Sequence, residues 1–206
     1  MSDFIKVMTP PFRMSYPHLF KPYSMDNNEP KFQLTMLFPK GADLKALIKA
    51  ADQSMTAKWG QRPKKFKSPF LDGDEMEQES FHGTTFIRTA TKEMPSIING
   101  RKEEVIESHL VKAGFWARAT VNPYCWTFKS KKGVSFGLLN VQLLPLDFVI
   151  DFYKSQKLDY DFVEEPFTSR TTADQDFDEV DDPGEDPSNY DNGNVEDDDD
   201  TDDDFM

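Results

Sequence analysis

The stretch from Gly114 to Leu144 limits the fold of this chain more than any other part of the sequence. Its first half alternates small or apolar residues with polar and aromatic ones, which is typical of a strand with one packed face. The lysine-rich segment from Lys129 to Gly133 then reverses the chain, and a second alternating run follows. The sequence therefore predicts a long antiparallel hairpin. Its polar-aromatic face carries Trp116, Arg118, Thr120, Asn122, Tyr124, Trp126 and Phe128.

Two irregularities interrupt this pattern. Pro123 has no N–H to give to a ladder, so we expect it at a bulge or at an edge of the sheet. On the return strand, Val134, Phe136 and Leu138 share one phase, but the apolar positions change phase beside Gly137. This change predicts a bulge or a tight corner there. Small closed barrels need such corners.

The rest of the chain supplies three more strands and one helix. Alternating residues predict strands at Met14–Phe20, Lys31–Phe38 and Phe81–Thr91. From Gly41 to Trp59, apolar residues recur at spacings of three, four and seven, which predicts an amphipathic helix that Asp43 caps. We therefore expect a mainly β fold, namely a five-stranded OB-like β-barrel with one amphipathic helix and a disordered acidic C-terminal tail.

Three segments are less decided by their pattern. Met94–Asn99 reads as a short extended piece that ends in an Asn-Gly turn. Glu103–Lys112 fits either a short helix or an irregular excursion. The segment after Pro145 mixes aromatic and acidic residues and either packs on the barrel or forms a dimer contact. We assign residues 1–170 to one folded domain and residues 171–206 to a disordered tail, because apolar periodicity ends there.

Charge divides the chain into two unlike parts. From Asp174 to Met206 the sequence contains 17 acidic residues and no Lys or Arg. Residues 1–173 therefore hold 20 acidic residues against all 24 basic ones, and residues 1–146 hold 14 against 21. The formal net charge of −13 thus hides a basic domain with an acidic appendage. This pairing suggests a surface for a polyanion and a tail that competes for it.

Cysteine content and hydropathy indicate the compartment. Cys125 is the single cysteine, so no disulfide can form within the chain, and we expect a reducing, cytoplasmic environment. The N-terminus has neither a basic leader nor a long apolar run, and no later segment approaches the roughly 20 apolar residues of a membrane span. We expect no membrane partner.

Basic and aromatic residues cluster in the way that binding of single-stranded nucleic acid requires. Cations follow the phosphates, and flat rings stack on unpaired bases. The alternative is that the rings belong to the core and that the lysines are merely solvated. Clustering favours the first interpretation. The candidate DNA-binding residues are Trp59, Arg62, Lys64, Lys65, Phe66, Lys67, Arg88, Trp116, Arg118, Tyr124, Trp126, Lys129, Lys131 and Lys132.

The acidic tail has two possible roles, one in solubility and one in binding. It either only solubilises the chain, or it acts as a tethered competitor for the basic surface and, once displaced, as a ligand for a partner protein. The end of the tail favours the second, because an aromatic anchor follows a run of carboxylates. The candidate partner-binding residues are Asp202, Asp203, Asp204 and Phe205.

Enzymatic functions fit the sequence poorly. His18, His82 and His109 are scattered, and no metal-ligand spacing of Cys or His occurs. A phosphate-binding glycine loop is also absent. The acids that start at Asp174 resemble the beginning of a calcium loop, but the required turn and the final Glu are missing. We expect no catalytic residue, no metal and no cofactor, and keep a carboxylate-metal nuclease as a distant alternative.

Two short patterns resemble phage-encoded single-stranded DNA-binding proteins. One is Gly133-Val134-Ser135-Phe136-Gly137-Leu138 together with Val141-Gln142. The other is Tyr16-Pro17-His18-Leu19-Phe20 together with Pro39-Lys40-Gly41. Many members of that family carry an acidic C-terminal tail that ends in or near phenylalanine. Here Met206 follows Phe205, which departs from that pattern.

The resemblance implies an OB fold, coating of single strands without sequence preference, contact of the tail with phage or host replication proteins, and the homodimerisation that is frequent in that family. Our leading hypothesis is a non-catalytic single-stranded DNA-binding protein of phage replication and recombination, acting in the cytoplasm of the infected cell. The alternative, from another class, is an acidic DNA-mimic or protein-interaction factor that acts through the tail.

Overall fold

The computed structural model describes residues 5–24 and 29–158. Within these ranges the chain forms eight strands and two α-helices. Predictions for residues 171–206 lie outside the described residues. The elements are β1 (Val7–Met8), β2 (Phe12–Tyr23), β3 (Lys31–Pro39), α1 (Lys45–Trp59), β4 (Leu71–Asp72), β5 (Thr84–Thr91), β6 (Ser96–Ile98), β7 (Trp116–Phe128), β8 (Lys131–Leu143) and α2 (Leu146–Ser155).

Five of the strands close into a ring. In space the order is β7, β2, β3, β5 and β8, and β8 pairs again with β7. All pairings in this ring are antiparallel except the one between β5 and β8. The prediction of a mainly β, five-stranded OB-like barrel is therefore confirmed.

The core lies inside this ring and under α1. Alternate residues of each strand point inward, as a strand with one packed face requires. Phe12, Met36, Ile87, Val121 and Phe136 are all buried there. The buried face of α1, which carries Leu47, Ala51 and Met55, covers the same cluster. Burial of this apolar surface is the main force that holds the ring together.

Helix α1 begins later than the sequence predicts. It starts at Lys45, with Leu44 in the capping position, and Asp43 lies just outside. The Asp43 carboxylate still accepts the backbone N–H of Lys45, at 3.0 Å. The helix ends as predicted at Trp59, where Gly60 takes a left-handed conformation with φ of +76°.

The predicted bulge in the hairpin is confirmed. Thr120 pairs with Asn140, but the next residue, Val121, pairs with Leu138. Leu139 is therefore the extra residue on β8, and the inward phase of that strand changes there. The prediction that the turn extends from Lys129 to Gly133 is wrong, because Phe128 already pairs with Lys131.

The turn itself contains only Lys129 and Ser130. Lys129 adopts a φ of +49°, which two-residue hairpin turns need at their first central position. Lys131, Lys132 and Gly133 consequently belong to β8. Their side chains therefore alternate between the two faces of the sheet.

Pro123 lies where β7 has become an edge. On the side away from β8, the described residues pair with β7 through β1 and β2, which reach from Trp116 to Val121. Pro123 comes after this point, so its missing N–H interrupts no ladder on that side. Its carbonyl faces α1, with the Ser54 hydroxyl at 3.4 Å.

A second, smaller core lies on the outer face of β3 and β5. Leu37 and Phe86 are buried there beneath Phe81, with Leu71 and Met76 packed around them. The segment between β4 and β5 thus covers the part of this face near the start of β5. It does not cover the part of β5 that follows Phe86.

An ion-pair network anchors this covering segment. Lys40, which follows β3, bonds to the carboxylates of both Asp72 and Asp74. The hydrogen bond from Lys40 is the largest cause that lowers the pKa of each carboxyl, and these bonds raise the pKa of Lys40. Asp74 also accepts the N–H of Gly83, at 2.7 Å, which ties the segment to the start of β5.

A second helix, α2, follows Pro145, whereas the sequence predicts one helix. Val149 and Tyr153, four residues apart on one face, are fully buried. The Tyr153 hydroxyl donates to the carbonyl of Pro11. The segment after Pro145 therefore packs on the barrel, as the first of the two predicted alternatives has it, and the dimer contact stays a prediction.

The two remaining uncertain segments are also resolved. Ile97 and its neighbours form β6, which pairs in parallel with β8. Glu103–Lys112 is irregular and contains a single turn of 3₁₀ helix at Ser108–Leu110. In the described part of the chain, no helix has both the length and the hydropathy that would take it across a membrane.

Gly73 allows the covering segment to close on β5, and its substitution tests this packing. A Cβ at Gly73 would lie 2.0 Å from the Phe81 carbonyl oxygen and 2.6 Å from Thr84 Oγ1. We expect Gly73→Ala to lower the free energy of unfolding by about 1–3 kcal/mol in urea denaturation. Gly100→Ala is the control, since its nearest atom, Pro145 Cδ, is 3.8 Å away. Equal stabilities of the two variants would contradict this account.

Candidate nucleic-acid interface

The outer face of the β7–β8 hairpin places large side chains beside very small ones. Tyr124 pairs with Ser135, and Trp126 pairs with Gly133. Side chains of directly opposite residues point to the same face of a sheet. The side chains of β7 can therefore lie low across β8, because Gly133 and Ser135 leave room for them.

Trp126 uses this room. A Cβ on Gly133 would lie 2.1 Å from Trp126 Cζ2 and 2.4 Å from Cε2, so the indole lies directly over the glycine. The indole Nε1–H donates to Ser135 Oγ at 3.0 Å. The ring is therefore fixed in position against β8 and is half-buried.

Two more rings flank Trp126 on the same face. Tyr124 is 42% exposed and Phe128 is 45% exposed. The ammonium group of Lys129 lies 5.6 Å from the centre of the Phe128 ring. The sequence interpretation does not include Phe128 among the binding residues, although its phase with Tyr124 and Trp126 is a sufficient signal. Lys131 pairs with Phe128 and shares this face.

A basic segment lies along the other side of β8. Lys67 pairs in parallel with Gly133, through hydrogen bonds of its N–H to the Lys132 carbonyl at 2.8 Å and of its carbonyl to the Val134 N–H at 3.2 Å. Four residues later, β4 pairs with β5. The segment Lys67–Asp72 therefore fills the space between β5 and β8, and Lys67 shares the face of Gly133 and Trp126.

Arg88 lies on the same outer face, further from the hairpin turn than Lys67. Ala90 pairs with Gly137, so the same register places Arg88 beside Ser135. Its guanidinium carbon is 5.6 Å from the centre of the Phe86 ring.

We call the patch that these residues form the hairpin surface. It comprises the rings of Tyr124, Trp126 and Phe128, the small residues Gly133 and Ser135, and the cations of Lys67, Arg88, Lys129 and Lys131.

Four of the predicted residues lie on the opposite side of the hairpin, next to the end of α1. Lys132 points to the inner face, with its ammonium group 5.3 Å from the centre of the Trp59 ring. Arg62 lies 5.1 Å from the centre of the Phe66 ring and 3.3 Å from the Asp52 carboxylate. Trp59 and Phe66 are partly buried against the core. Lys64 and Lys65 are exposed in the loop between the two sides.

Trp116 and Arg118 lie at the far end of β7, against α2. The Trp116 ring is 6.2 Å from that of Tyr153. Arg118 donates from Nε to Gln142 Oε1 at 2.8 Å, and its guanidinium carbon is 5.8 Å from the centre of the Phe148 ring. Ten residues of strand separate Trp116 from Trp126, roughly 30 Å. The structure therefore does not bring these two residues to the hairpin surface. The tail residues Asp202, Asp203, Asp204 and Phe205 lie outside the described residues.

The hairpin surface has the residue types that binding of single-stranded nucleic acid requires. Positive side chains and aromatic rings alternate across a floor of small residues, an arrangement that suits a flexible polyanion with planar bases. Within residues 5–24 and 29–158, no three His, Cys, Asp or Glu side chains lie together in a way that could hold a metal ion.

The chain matches one family of known proteins. Residues 5–146 match the model of the family described as the Enterobacter phage Enc34 ssDNA-binding protein. No curated protein matches the chain.

Solved structures are also similar. The single-stranded DNA-binding protein from bacteriophage Enc34 in complex with ssDNA is 25% identical, with a TM-score of 0.61 over 68% of this chain and 85% of the other. A second structure of the single-stranded DNA-binding protein from bacteriophage Enc34 is 25% identical, with a TM-score of 0.58 over 67% of this chain and 79% of the other.

The family match spans well over half of the chain and includes all five strands of the ring. It includes the hairpin surface as well. The chain therefore belongs to the family of the Enc34 phage single-stranded DNA-binding protein.

Proposed function

We propose that this protein coats single-stranded DNA without sequence preference during phage replication and recombination, and that it does so without catalysis. The strand lies along the hairpin surface, in the cytoplasm of the infected cell. The observation that carries this proposal is the row of Tyr124, Trp126 and Phe128 beside the cations of Lys67, Arg88 and Lys131. The solved Enc34 relative, described as a complex with ssDNA, supports the same ligand.

The chemistry of this row explains the lack of sequence preference. A ring stacks on any base, since every base has a π-face, and each stack contributes roughly 1–3 kcal/mol. The cations contact phosphates, which carry no sequence information. A single strand can turn its bases toward the rings, whereas a duplex keeps its bases paired and stacked.

The position of the surface in the fold supports the proposal. OB folds bind oligonucleotides across their second and third strands and beside the loops that join strands one to two and four to five. In this ring the second and third strands are β3 and β5, and Arg88 lies on the outer face of β5. The loop between the fourth and fifth strands is the turn at Lys129 and Ser130.

We further propose that the acidic tail competes with DNA and, when displaced, recruits replication proteins. The tail carries 17 acidic residues from Asp174 onward. Because it is tethered to the basic domain, it acts at a high effective concentration. The carboxylates of Asp202, Asp203 and Asp204 with Phe205 offer a partner both charge and an aromatic anchor.

Titration with oligo-dT and with duplex DNA at low and high salt tests the main proposal. We expect tight binding to the single strand that weakens steeply with salt, because counterions are released from the DNA. Duplex should bind more weakly. Fluorescence anisotropy measures both. Binding of oligo-dT that is absent or insensitive to salt would overturn the proposal and favour a protein that acts through its tail, and metal-dependent cleavage of the oligonucleotide would favour a nuclease.

Charge substitutions test the location of the site. We expect Lys131→Ala to weaken binding of oligo-dT and to reduce the slope of log K against log[salt] by about 0.7, the share of one phosphate contact with a single strand. Lys49→Ala is the matched control, because Lys49 is an exposed lysine of α1 away from the hairpin surface. The site would be misplaced if Lys49→Ala changed the slope as much as Lys131→Ala.

Removal of residues 174–206 tests the competition by the tail. We expect tighter binding to single strands and to duplex alike, with the largest gain at low salt, where the repulsion and competition by carboxylates are least screened. A second variant, with Asn in place of the acids at 197–200 and 202–204, keeps the length of the tail and separates charge from bulk. Unchanged affinity in both variants would remove the competitive role.

A further inference from the structure

Trp126 differs from the two rings beside it in how it is held. Tyr124 and Phe128 are each more than two-fifths exposed, whereas Trp126 is half-buried, with its indole against β8 and its Nε1–H bonded to Ser135. We propose that Gly133 and Ser135 are positioning residues that fix the Trp126 indole flat against β8 as a preformed stacking platform for one base. This inference rests on the proposed function and assigns roles to two residues that bear no charge.

Gly133 sets the height of the ring above the strand. Three atoms of the indole, Cζ2, Cε2 and Cη2, lie 2.1, 2.4 and 2.7 Å from the place where a Cβ would be. These contacts are with a rigid ring, so any side chain at Gly133 forces the indole away from β8. Gly133 is itself held by the ladder to Trp126 on one side and by the bridge to Lys67 on the other, so its backbone has little room to move aside.

Ser135 sets the rotation of the ring. Its Oγ accepts the Nε1–H of Trp126 at 3.0 Å, and the residue is only 7% exposed. The hydrogen bond turns the Nε1 edge of the indole toward Ser135, so the ring extends along β8 from Gly133. One face of the ring therefore lies on the strand, and the opposite face points outward, where a base can stack.

This arrangement affects affinity through preorganisation. A ring that is free to rotate loses conformational entropy when a base stacks on it, whereas a ring that is already fixed loses little. Trp126 also lies midway between Tyr124 and Phe128 on the strand, two residues from each. Trp126 therefore holds the central base of the row.

Gly133→Ala tests the height of the platform. We expect binding of oligo-dT to weaken about fivefold to 150-fold, the range for loss of one base stack, with the salt slope unchanged because no charge is altered. Gly100→Ala is the control, and it should bind as the original chain does. Equal affinities of Gly133→Ala and the original chain, with the fold intact by circular dichroism, would overturn the proposal.

A double-mutant cycle tests Ser135 and stays informative if Gly133→Ala fails to fold. We expect Ser135→Ala to weaken binding of oligo-dT about twofold to tenfold, the scale of one hydrogen bond. In Trp126→Phe, which has no indole N–H, the same change should have no effect. Ser54→Ala, which removes a hydroxyl on the α1 side of the same hairpin, is the control.

Two outcomes of the cycle would overturn the proposal. One is an equal effect of Ser135→Ala with Trp126 and with Phe at that position. The other is no effect in either background. Both differ from failure of the proposed function, in which the original chain itself shows no salt-sensitive binding of oligo-dT.

Discussion

β7 and β8 pair along almost their whole length, from Ala117 with Leu143 to Phe128 with Lys131. This ladder closes the ring of the barrel and continues beyond it as the hairpin, so one set of backbone hydrogen bonds fixes both the core and the hairpin surface. The bulge at Leu139 keeps apolar side chains inside the ring on both sides of the bend. Beyond the bulge, toward the turn, the same strand alternates Lys131, Gly133 and Ser135 on the outer face with Lys132, Val134 and Phe136 on the inner face.

The second constraint is the opening between the parallel strands β5 and β8. The segment Lys67–Asp72 fills it, pairing with β8 at one end and with β5 at the other. This places a lysine of the basic loop beside Trp126 and brings Arg88 into the same patch. Lys67 and Lys131, which are more than 60 residues apart in the chain, thus lie on the hairpin surface together with Arg88, and the carboxylates that Lys40 binds lie on the neighbouring segment.

Rings and cations divide between the two sides of the hairpin according to the alternation of the strand. Tyr124, Trp126 and Phe128 take the outer side, and Lys132 takes the inner side with Trp59. At the far end, α2 holds Trp116 and Arg118 in contacts of its own. The aromatic residues therefore have different tasks: some close the core, some anchor a helix, and a short row of three meets the ligand in our proposal.

Local pattern alone determined the strands of the ring, helix α1, the bulge and the mixed face of β7, because periods of two and of 3.6 residues state directly which side chains share a face. It also determined that basic and aromatic residues concentrate near positions 59–67 and 116–132. The tertiary structure decided which of them meet. The bridge of Lys67 to Gly133 is a contact between distant segments, the packing of α2 on Trp116 depends on a buried Tyr153, and the role of Gly133 depends on the ring that lies above it. No periodicity records such contacts, since they arise from how the strands close into a ring.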